Sequence, residues 1–187
     1  MFSRINLKPN VTFSLKDKDG NVKKLFQENK LAAFLMKSGI LSPKYSKIPF
    51  LFGHYADKTV VSNLITNAGL AGVASRLNGS GAEAAFTYVA IGTGTTAAAV
   101  TDTTLETEIS TDGGSRAAAT CTRITTDVTN DTAQMAITYT FSGSFAVTES
   151  GIFNAASSGT MLARRVFSAY NVTSGDQLTI TWTIDCD

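Results

Sequence analysis

Few residues in this 187-residue chain are of a type and spacing that could do chemistry. Gly92-Thr93-Gly94-Thr95-Thr96-Ala97 fits the loose G-x-G-x-x-G/A pattern, in which backbone amides approach a pyrophosphate at a helix start. Dinucleotide binding also requires a following helix, a parallel second strand and an acidic residue at its end. Only the glycine spacing is present, so a tight Gly/Thr turn leaving a strand is the plainer expectation. His54 is the sole histidine, which excludes a multi-histidine metal site within one chain and leaves a Ser-His-Asp unit no other base. It stands between Gly53 and Tyr55 in an irregular stretch, and no Gly-x-Ser-x-Gly elbow occurs, so a surface or interface role is expected.

Cys121 and Cys186 have neither paired metal spacing nor a C-x-x-C motif. Buried thiols, a disulfide across sheets and an inter-subunit link all remain open, with free thiols favoured by synthesis in a reducing cytoplasm. The turn Asp17-Lys18-Asp19-Gly20-Asn21 invites a calcium reading, but Gly20 is fourth where an EF-hand loop needs its glycine sixth. Arg164-Arg165 is too short for a nucleic-acid patch and has no interleaved aromatic platform.

Glu149 is the most informative ionisable residue. It falls on the same alternating face as Phe145 and Val147, where an unpaired carboxylate would be costly. A bulge at Ser150-Gly151 would re-aim it, or an arginine would pair with it, Arg116, Arg164 or Arg165. A catalytic acid would need a second carboxylate placed to share the work, and the sequence places none. The expectation is a chain that is not an enzyme, with no catalytic residues, no cofactor and no metal.

The elements that carry these residues are mainly strands. Ala133, Met135, Ile137, Tyr139 and Phe141 alternate with polar residues, and Leu178, Ile180, Trp182 and Ile184 alternate with Thr179, Thr181 and Thr183. A half-buried antiparallel strand requires that period of two. Further strands are predicted at 86–91, 116–126, 145–154 and 160–167, punctuated by Gly/Ser/Asp/Asn turns. Six strands with hairpin-length connections imply an antiparallel β-sandwich, jelly-roll or Ig-like. Between Val60 and Asn78 an extended entry and a short helix are expected, divided at Asn67-Ala68-Gly69 and ending at Asn78-Gly79. Thr103-Thr104-Leu105-Glu106 has capping-box spacing, with Leu105 and Ile109 four apart, which predicts one more short helix.

Ahead of this body, residues 1–58 have a different character. They hold eleven Lys/Arg and four Asp/Glu, whereas residues 59–187 hold five and eleven, so the near-zero total hides +7 beside −6. Every Lys and all three Pro lie in the first part, and 25 of the 26 Thr in the second. The division predicts a basic N-terminal arm, 1–58, and a Thr/Ala-rich sandwich domain, 59–187. Within the arm, Val11, Phe13, Leu15, Val22 and Leu25 around the Asp17–Asn21 turn predict a β-hairpin. Asn29 to Ser38 predict a short helix ending at Gly39, and Ile40 to Lys58 an extended connector. Its apolar side chains are too many for a free tether, so the arm is expected to dock on neighbours, another copy among them, through Phe34, Tyr45, Phe50, Phe52, His54 and Tyr55, the plainer alternative being that the lysines keep a less compact segment soluble.

The net charge of +1 argues against a generic nucleic-acid binder, and no run of about 18 apolar residues exists to cross a membrane. The first 30 residues lack the continuous apolar core of a secretion signal.

The segments Asn63-Leu64-Ile65-Thr66-Asn67-Ala68-Gly69, Tyr88-Val89-Ala90-Ile91-Gly92-Thr93-Gly94-Thr95, Thr148-Glu149-Ser150-Gly151-Ile152-Phe153-Asn154 and Thr181-Trp182-Thr183-Ile184, in that order, resemble tailed-bacteriophage virion structural proteins. These include capsid decoration (cement) proteins and tail-fibre-associated proteins. The likeness spans about residues 60 to 187 and leaves the arm unmatched. It implies a β-rich, non-enzymatic virion component present in many copies, with other virion proteins (the major capsid protein or tail proteins) as partners and the virion as its location. A decoration protein whose arm threads across shell subunits is the first expectation. A tail-fibre or baseplate module binding host glycans is the second, weakened because the one Trp, Trp182, is on the core-facing set. A glycan hydrolase is the third, and lacks its acid pair.

Overall fold

The computed structural model describes residues 6–41 and 51–186. In chain order the elements are β1 (Leu7–Lys16), β2 (Val22–Lys23), β3 (Leu25–Glu28), α1 (Lys30–Lys37), β4 (Gly53–Ala56), β5 (Thr59–Ser62), β6 (Leu64–Ile65) and α2 (Asn67–Asn78). They continue with β7 (Tyr88–Gly92), β8 (Ala117–Ala118), β9 (Thr120–Ile124), β10 (Thr132–Thr140), β11 (Phe145–Phe153), β12 (Met161–Val172) and β13 (Gln177–Cys186). The chain is mainly β, and among the described residues every strand pairing is antiparallel.

Two sheets pack face to face. The first runs β2-β1-β13-β10-β9, with β5 also on β1; the second runs β6-β12-β11-β7-β8. Alternation explains the layer between them, because Met135 and Tyr139 of β10, and Leu178, Ile180, Trp182 and Ile184 of β13, meet Val89, Ile91, Val147, Ile152 and Phe167 from the other sheet. The threonines of β13 form the opposite, partly exposed face. Buried polar atoms in this layer are paired: Tyr139 Oη donates to the Val89 carbonyl at 2.7 Å, and Trp182 Nε1 to Ser150 Oγ at 3.1 Å.

The expected hairpin and short helix of the N-terminal segment are present. Leu15 pairs with Lys23 across a turn in which Asp17 Oδ1 accepts from the Asp19 and Asn21 amides. Asn29 caps α1 by accepting from the Ala32 amide at 2.9 Å. The segment is not, however, an arm awaiting a neighbour over its whole length. All ten residues of β1 pair with β13, and Val11, Phe13 and Leu15 are core residues of the sandwich. The break in composition at residue 58 does not mark where the core ends.

Two more expectations are corrected. Within the supposed connector, β4 pairs with β3, and Gly53 makes this possible because a Cβ there would strike the Gln27 carbonyl oxygen. Residues 103–109 form no helix. Leu105 and Ile109 are buried as their spacing suggested, but the segment runs beside β7, where the Thr93 amide donates to the Thr107 carbonyl and the Ile109 amide to that of Ile91. The short helix ending at Gly79, which is left-handed, is borne out, but it begins at Asn67 behind the N-cap Thr66, so the expected break at Asn67-Ala68-Gly69 is its first turn.

Candidate functional site

The outer face of the second sheet is covered by the segment 93–109, and Glu149 fastens the two together. Between Val147 and Glu149 the register slips: Val147 faces Tyr170 but Glu149 faces Val166, so β12 advances four residues while β11 advances two. This irregularity sits at Thr148, before the expected Ser150-Gly151 position, and it carries Glu149 away from the core face of Val147 to the side shared with Gly92. There Glu149 is fully buried. Its carboxylate accepts from the Gly94 amide at 3.0 Å, the Thr107 amide at 2.8 Å and the Glu106 amide at 3.1 Å, and from Arg164 Nε at 2.9 Å.

Of the arginines weighed as partners, Arg164 is therefore the one used. Its guanidinium also meets Asp102 at 2.7 Å and Glu106 at 3.7 Å. Desolvation alone would lower the Arg164 pKa, but the bond to Asp102 and the charge of Glu149 outweigh it and hold the group above its ordinary value. Arg116 instead makes a forked pair with Glu108, at 2.9 and 2.6 Å, and lies over the Phe153 ring. Arg165 reaches Glu28 of β3 at 3.1 Å, and Ser168 gives Glu28 two further hydrogen bonds. Burial lowers the Arg165 pKa, with Glu28 opposing.

These contacts decide the Gly/Thr loop. Its Gly94 amide does approach an anion, but that anion is the chain's own Glu149 carboxylate, whose other two backbone donors, Glu106 and Thr107, lie outside the loop. A Cβ at Gly92 would collide with this carboxylate and with the Thr107 carbonyl oxygen, and one at Gly94 would lie 2.5 Å from Glu149 Oε1. The glycines are there for close packing around an internal ion pair. Past them, Thr96 gives its amide and hydroxyl to Glu106, and the former, then the latter, hold that carboxyl below its ordinary value.

The expected docking residues lie on α1 and around β4. Phe34 of α1 is 65% exposed and Tyr55 of β4 is 51% exposed, His54 is exposed and Phe52 is half-buried. Tyr45 and Phe50 lie outside the described residues. The helix α1 turns Ala32 and Met36 inward and leaves Leu31 outward with Phe34. Leu51 and Ile40 add to this exposed apolar surface: Leu51 is held to the start of α1 by Asn29 Nδ2, and Ile40 lies at the helix end.

No disulfide joins Cys121 and Cys186, and both are exposed on strands separated by β10. Among the described residues no group of three or more His, Cys, Asp or Glu is arranged to hold a metal ion, and no helix is long and apolar enough to cross a membrane. Set against models of protein families, curated proteins and solved structures, the chain matches none of them.

Proposed function

We propose that this chain is a non-enzymatic structural component of a tailed-bacteriophage particle, a capsid decoration protein that docks on neighbouring shell subunits. The observation that carries the docking is the outward apolar surface of the N-terminal segment. Leu31 and Phe34 on α1, with Ile40, Leu51 and Tyr55 nearby, are large side chains left in water on a region rich in lysine. The rest of the molecule supports a passive role, because its buried carboxylates Glu28 and Glu149 are engaged by arginines and backbone or hydroxyl donors. The assignment to a phage particle rests on the ordered sequence segments that resemble virion proteins.

Locating the protein in purified particles tests the reading. Copy numbers comparable to those of the major shell protein, with α1 and β4 against a shell subunit, are the expected result. Tens of copies or fewer, placed on the tail, would replace decoration by a fibre or baseplate role, and absence from particles would overturn both.

A further inference from the structure

Three buried side-chain atoms lack a hydrogen-bond partner among the described residues: Asn63 Nδ2, Asn63 Oδ1 and Arg165 Nε. Ile65 pairs with Ala163 and Leu64 with Arg164, so the same register continued by one step sets Asn63 opposite Arg165, with both side chains on one face. Both line a single small cavity, walled by Met36 of α1, by Leu64 and Val166, and by Ala97 and Ala98 beyond the Gly/Thr loop. A buried donor or acceptor without a partner is costly, so three converging on one space call for an occupant.

We infer that this cavity is an internal hydration site, in which one water bridges the Asn63 amide to Arg165 Nε. Size limits the occupant: the cavity offers about 20 Å³ of water-accessible space, and one water needs roughly 10–15 Å³. Charge limits it further. Arg164 and Arg165 are already answered by Glu28, Asp102 and Glu149, so an anion would meet more carboxylates than guanidiniums. A cation would find one amide oxygen among those atoms, next to a guanidinium. A water accepts from Arg165 Nε and Asn63 Nδ2 and donates to Asn63 Oδ1, the three bonds typical of an internal water. The site joins α1, the Gly/Thr loop and β12 at one point.

Oxygen-17 magnetic relaxation dispersion on the full-length protein counts long-lived internal waters. The Asn63→Leu variant, similar in volume but without the amide, is expected to hold one fewer than the parent protein; an equal count overturns the inference. Should that variant fail to fold, a crystal structure of the parent protein decides. Density within about 3.2 Å of Asn63 and Arg165 Nε is the expected result, and a dry cavity, or an Asn63 side chain bonded to protein instead, refutes it.

Discussion

Arg164 and Glu149 meet through two contacts, from Nε at 2.9 Å and from a terminal nitrogen at 2.8 Å, inside a sheet face from which solvent is excluded. Both nitrogens meet the one oxygen Oε2, and such a buried ion pair costs desolvation to form and much more to break on one side only, because the survivor stays buried and uncompensated. Glu149 also gathers three backbone amides from the segment above it, so this pair fixes the covering loop as well as the strand.

Replacing one partner is therefore expected to be severe. Glu149→Gln keeps the shape, removes the charge and sets an amide group against backbone donors. A loss of about 3–5 kcal/mol is expected in urea unfolding. Amide exchange at Gly94, Glu106 and Thr107 is expected to accelerate beyond the change seen elsewhere. The double variant Glu149→Gln, Arg164→Met is expected to lose less than the sum of the single losses. Additive losses would mean that the two side chains act independently.

Acid stability has a predictable sign. Asp131 is held well below its ordinary value of 3.8, first by the Val128 amide and then by that of Thr126, and Glu106 is held below its ordinary 4.5 by Thr96. Burial opposes the lowering of Asp176, and Lys23 and Thr173 override it. A carboxyl with a depressed folded pKa contributes stability that is whole above its unfolded value and disappears as pH falls through the folded one. These groups are therefore expected to lower the thermal midpoint only below about pH 4.5. Asp131→Asn is expected to be less stable than the parent protein at pH 7, with a gap that closes toward pH 2. A gap that stays constant would show that Asp131 acts through shape and not charge.

Phe13 tests whether the N-terminal segment belongs to the core. Its ring lies 4.4 Å from that of Phe167 and 5.1 Å from that of Tyr170, across the space between the sheets. Phe13→Ala is expected to cost about 3–5 kcal/mol. The sole tryptophan, Trp182, is fully buried and faces Val11 in register, so its fluorescence reports the transition. An unmoved Trp182 midpoint would mean that β1 is dispensable to the sandwich.

Strands with one wet face were legible, because Thr132–Thr140 and Gln177–Cys186 each print their orientation in alternating residues. The helix ending at Gly79 was legible through its cap. What stayed hidden depends on distant partners. Nothing local to Val11 or Phe13 says that β13 will pair with them. The face of Glu149 is set by the slip against β12, the next strand, and no local pattern shows where two neighbouring strands will lose register. Thr103 and Glu106 imitate a capping box, yet the Glu106 carboxylate goes to Thr96 and its amide to Glu149. The Gly/Thr loop showed its glycines but not the carboxylate they make room for.

The exposed face of α1 gives the most direct test of docking. Leu31 and Phe34 are three residues apart and both mostly exposed, whereas Ala32 and Met36 hold the helix to the body. Leu31→Ser together with Phe34→Ser removes apolar surface and leaves those buried contacts intact. Stability is expected to change by no more than about 0.5 kcal/mol per substitution. Incorporation into particles assembled with the variant as the sole source of the protein is expected to fall at least tenfold, a change of about 1.4 kcal/mol in binding. Quantitative mass spectrometry of purified particles, normalised to the shell protein, supplies the number. Full incorporation of a folded variant would exclude α1 as the docking element, since no other change in the molecule would explain retained binding after its apolar face had been made polar.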